Sequence, residues 1–70
     1  MNFFGKQIEQ ERKSAKLSVL ELSQKSGLSE ETLLQIEKGT LFPDVRQLMT
    51  LSQAFGKPKG YFFSKLVYRV

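Results

Sequence analysis

Apolar residues recur along most of the chain at three- and four-residue intervals, and no stretch alternates apolar and polar positions with β-branched residues until the last few. This pattern predicts an all-α body. Phe4 and Ile8 lie four apart, and Arg12 and Ala15 continue the same face, so a first helix is expected from about residue 2 to 15. Ser18 is followed three residues later by Glu21, the spacing of a capping box, with Leu17 and Leu22 placed as its hydrophobic staple. A second helix therefore runs from there to Ser26 and stops at Gly27, a residue free to take the left-handed conformation that ends helices. Ser29 caps a third, with Leu28 and Leu33 as staple and Glu30 and Glu31 in the first turn, where the helix dipole favours negative charge. Gly39 ends it after Lys38. Asp44 and Gln47 repeat the capping-box spacing for a fourth helix, whose buried stripe is expected to be Val45, Leu48, Leu51, Ala54 and Phe55, closed by Gly56. A brief fifth helix, starting at Lys57-Pro58, should carry Phe62 and Phe63 into the core.

Two short capped helices joined through Gly27-Leu28 are the arrangement of a helix-turn-helix, in which the second helix is presented outward. The run from Leu17 to Ser29 (LSVLELSQKSGLS), the ending Ile36-Glu37-Lys38-Gly39, Pro43, and the set Leu48, Leu51, Ala54, Phe55 and Gly56 resemble the Cro/C1-type, or Xre, family of bacterial and phage repressors. The resemblance spans roughly Phe4 to Phe63. It implies a five-helix lambda-repressor-like DNA-binding domain with a short C-terminal extension. It also implies a transcriptional regulator that lays helix three in the major groove of double-stranded DNA, as a dimer on a two-fold operator. Carried over position by position, Ser29, Glu30, Glu31, Thr32 and Gln35 would read bases, with Val19, Lys38 and Thr40 near the phosphates. A buried ion pair between Arg12 and Glu37 is implied as well.

Charge changes this picture in one respect. The whole chain carries 11 Lys and Arg against 7 Asp and Glu, a net charge of +4. Between residues 17 and 47, however, Lys25, Lys38 and Arg46 face Glu21, Glu30, Glu31, Glu37 and Asp44, so the motif itself is net −2. The basic excess is on the flanks, at Lys6, Arg12, Lys13, Lys16, Lys57, Lys59, Lys65 and Arg69. Leu34 on helix three, with Leu41 and Phe42 in the loop after it, could form an exposed apolar patch of the kind that marks protein interfaces. The second functional reading is therefore a protein-interaction module on the same fold, an antirepressor or a partner of a larger regulator.

Size and composition exclude much else. Seventy residues make one domain, expected over 1–70 with a core of about 2–63, and such a chain buries only about 60% of its unfolded surface. The short remainder, residues 64–70, is β-prone and partly basic: a frayed tail, a dimerisation element, or a segment packed on its own domain. With it the chain is expected to be a complete small protein. The absence of Cys and His removes disulfides, thiolate and imidazole metal ligands, the Cys nucleophile and the His base. No enzyme, metal or cofactor is expected, since no nucleophile, base and orienting group share a spacing. Scattered apolar residues and the start Met-Asn-Phe-Phe predict neither a membrane span nor a signal peptide, and hence a cytoplasmic protein.

Overall fold

The computed structural model describes residues 3–62, with side chains from Gly5 onward. Four helices lie among the described residues: α1 (Phe3–Ser14), α2 (Val19–Ser26), α3 (Glu30–Lys38) and α4 (Val45–Ala54). No strand occurs among them. Helix α3 packs against α1 on one side and α2 on the other, and α2 in turn packs against α4. The core is a single cluster of Ile8, Leu22, Leu33, Ile36, Leu48, Leu51 and Phe62. Leu17, Val19, Leu28, Leu41, Ala54, Phe55 and Tyr61 press on it from the rim.

The local signals act where the sequence put them. Ser18 and Glu21 form a reciprocal capping box, as do Asp44 and Gln47, so each helix starts with two of its free N–H groups satisfied. At the other end of α1, Lys16 takes φ 60, and the Lys16 and Leu17 amides bond to the carbonyls of Lys13 and Arg12 at 3.0 and 3.1 Å. This is a Schellman closure built without glycine.

Three expectations need correction. The fifth helix does not start at Lys57-Pro58, because the chain stays non-helical there and turns helical only at Tyr61, next to the last described residue, so four helices are shown within the described residues. Pro58 instead opens a turn, its carbonyl accepting the Tyr61 amide at 3.0 Å. Phe62 is fully buried; Phe63 and the tail at 64–70 lie outside the described residues, as does the Phe4 side chain. Val45 is 61% exposed although periodicity places it on the buried stripe of α4. A stripe is buried only where a neighbouring element covers it, and the first turn of α4 is left open at Val45 among the described residues. Ala15 is exposed too: it lies one residue past the end of α1 at Ser14, its amide still bonded to the Glu11 carbonyl at 3.0 Å, just before the left-handed turn at Lys16.

Two long-range features were not read from the sequence. Gly5 sits where α1 crosses the end of α3: a Cβ there would lie 2.5 Å from the Ile36 carbonyl oxygen and 2.6 Å from that of Glu37. Only a glycine permits this approach; an isolated glycine inside a helical pattern was the available signal. The Tyr61 hydroxyl donates to the Glu11 carboxylate at 2.6 Å, tying the segment after α4 back to α1. Lys57 stands over the same ring at 5.3 Å, and the ring meets Phe62 edge to face.

Candidate nucleic-acid interface

The connection between α2 and α3 is held by three serines and one glycine. Gly27 ends α2 at φ 80, a left-handed conformation costly for residues with a Cβ, and its amide bonds to the Ser23 carbonyl at 2.9 Å. The Ser23 hydroxyl donates to the Leu28 carbonyl, and the Ser26 hydroxyl accepts from the Leu28 amide at 3.2 Å. Both backbone groups of Leu28 are thereby satisfied while its side chain packs on the core. A small hydroxyl residue at position 23 thus makes the turn rigid. Ser29 then caps α3, accepting from the Thr32 amide at 3.1 Å.

Helix α3 ends as firmly as it begins. The Gly39 and Thr40 amides bond to the carbonyls of Ile36 and Gln35 at 3.1 and 3.0 Å, and the Thr40 hydroxyl adds a bond to the Gln35 carbonyl at 3.2 Å. Between these fixed ends the helix divides cleanly. Leu33 and Ile36 are fully buried, whereas Glu31, Leu34, Gln35 and Lys38, spaced one helical turn apart, are all exposed on the opposite side with Glu30 beside them.

Arg12 secures the position of this helix against α1. Its Nε and one terminal nitrogen donate to the two Glu37 carboxylate oxygens at 2.8 and 3.2 Å. The other terminal nitrogen donates to the Leu17 carbonyl at 2.9 Å. The two side chains are only 13% and 7% exposed. The hydrogen bond it donates to Glu37, outweighing the opposing effect of burial, holds the Arg12 pKa above its ordinary value. One guanidinium thus joins α1, the α1–α2 turn and the end of α3, and it compensates a carboxylate at the unfavourable, negative end of a helix.

A sequence model described as helix-turn-helix matches residues 8–62 of the chain. The chain belongs to the Cro/C1-type helix-turn-helix family. No curated protein and no solved structure matches it. The family is one of DNA-binding regulatory domains, and no helix among the described residues of this domain is long and apolar enough to cross a membrane.

Within the helix-turn-helix domain the sequence-predicted residues fall into distinct settings. Glu30, Glu31, Gln35, Lys38, Ser29 and Thr40 are exposed along or beside α3, and Thr32 is half-buried. Val19 is half-buried against the core, which leaves only part of its side chain available to a ligand. Of the apolar set, Leu34 and Phe42 are 44% and 64% exposed, whereas Leu41 is half-buried against the core.

The structure also rewrites the charge count of the motif. Glu37 is neutralised by Arg12. The Glu21 and Asp44 carboxylates each accept one backbone amide at 2.8 Å, from Ser18 and from Gln47, at the starts of α2 and α4. The exposed acidic surface of α3 therefore reduces to Glu30 and Glu31 at its tip, with Gln35 and Lys38 behind them.

Proposed function

We propose that this domain is a sequence-specific transcription regulator of bacterial or phage origin that acts in the cytoplasm by laying α3 in the major groove of double-stranded DNA. The observation that carries this reading is the exposed stripe Glu31, Leu34, Gln35 and Lys38 on a helix fixed at both ends by capping bonds. Fixed ends matter because base readout requires donors and acceptors held in place before binding. In this reading Ser29, Glu30, Thr32 and Thr40, which flank the stripe, meet base edges or phosphates. With only nine residues in α3, one copy offers few base contacts, so the reading includes a homodimer on a two-fold site, which doubles them. In this reading binding near a promoter represses transcription.

The test is a salt-titrated binding measurement on a pool of random duplexes, run beside sedimentation analysis of the free and bound chain. Affinity should fall linearly with salt on logarithmic axes, with a slope of about −0.9 for each phosphate neutralised. Lys38→Ala should weaken all duplexes alike and reduce that slope by about 1 if it meets a phosphate, whereas Gln35→Ala should change preference at one base position. Retention of no duplex at any salt concentration would refute the reading.

A further inference from the structure

The outward stripe of α3 has an uneven chemistry that bears on which bases it can read. Glu31 and Leu34 are three residues apart on it, both exposed. Among the described residues Leu34, 44% exposed, belongs neither to the buried cluster nor to the residues packed against it. A carboxylate can only accept hydrogen bonds. Guanine offers two acceptors to the major groove and repels it, and adenine sets an acceptor beside its amine. Cytosine alone presents an amine with no acceptor of its own alongside. An exposed leucine has one apolar complement on that surface, the C5 methyl group of thymine.

We infer that Glu31 and Leu34 direct this helix to pyrimidines: Glu31 accepts a hydrogen bond from the N4 amine of a cytosine while Leu34 packs on the methyl of a neighbouring thymine. This rests on α3 lying in the major groove as proposed above. The spacing agrees with it, because side chains three residues apart on a helix are about 5–6 Å apart, and successive bases on one strand rise by about 3.4 Å. The two tips span one to two base steps.

The test starts from the duplexes that the full chain enriches out of a random pool. Their binding is then measured with each thymine replaced in turn by uracil, which removes only the methyl group, and with each C·G pair reversed. Wild-type chain, Leu34→Ala and Glu31→Gln are compared, with circular dichroism confirming that both exposed-site variants fold. One uracil should weaken wild-type binding about fourfold, the worth of one buried methyl group, and leave Leu34→Ala unaffected. Reversing the adjacent C·G pair should weaken wild-type binding tenfold or more, a preference that Glu31→Gln levels. Enriched duplexes without a neighbouring cytosine and thymine, or an equal uracil effect in wild type and Leu34→Ala, would overturn the inference while the DNA-reading function stands. Enrichment of no duplex would overturn that function and the inference with it.

Discussion

Replacing Arg12 by methionine keeps most of the aliphatic volume of the side chain and removes its charge. In the folded protein this strands the Glu37 carboxylate, 7% exposed, without its two bonds of 2.8 and 3.2 Å. It also leaves the Leu17 carbonyl without its guanidinium donor. Breaking one side of such a pair costs about 3–5 kcal/mol when burial is complete, and the residual exposure here places the expected loss near about 3 kcal/mol. A 70-residue domain has about 4–10 kcal/mol in total, so the variant should retain a folded population reduced roughly a hundredfold relative to the unfolded one. Restoring neutrality with Glu37→Met in the same chain should recover most of the loss, because the intact pair gains little over apolar residues of similar size. Urea denaturation of the wild type, both single variants and the double variant, followed by circular dichroism, measures the coupling. A cost below about 1 kcal/mol for Arg12→Met alone, the value of a solvated surface pair, would refute the reasoning.

Gly5→Ala should destabilise the domain by about 1–3 kcal/mol despite alanine's better helix propensity, since its methyl would overlap two backbone oxygens at 2.5 and 2.6 Å; thermal denaturation showing equal or greater stability would contradict the close approach. Lys16→Gly should raise stability by about 1 kcal/mol, because Lys16 holds φ 60 at the end of α1 and glycine takes that conformation without the Cβ penalty; a loss in urea midpoint would count against it. Glu9 is held below its ordinary pKa of 4.5, first by its hydrogen bond from Lys13 and then by that lysine's charge. Its contribution is therefore present above pH 4.5 and lost as pH falls through the lowered value. The gap in melting temperature between wild type and Glu9→Gln should close on acidification, and a gap that widens would show the sign to be wrong.

The helix boundaries of α2, α3 and α4 were legible because capping is a conversation among residues three or four positions apart. Ser18 with Glu21, Ser29 with Thr32, and Asp44 with Gln47 carry all the information their bonds require. The glycines at positions 27 and 39 were legible for the same reason, and with them the outward presentation of α3. The exposed residues of that helix follow from its period given that Leu33 and Ile36 are fully buried. By itself, then, the sequence determined α2, α3 and α4 and their ends.

Tertiary structure decided what covers what. Val45 and Ala15 satisfied the helical period yet stand in solvent, because period reports which side of a helix could be buried and a distant element determines how far along it burial extends. The motif's net negative charge was likewise a count along the chain, and its meaning depends on the Arg12–Glu37 pair, implied by the family resemblance but joining residues 25 positions apart that no local spacing relates. Gly5 against the end of α3 and Tyr61 against Glu11, 50 residues away, belong to the same class. Local hydrogen bonds are encoded in neighbouring residues, whereas desolvation and close approach are properties of surfaces that exist only after the helices have packed.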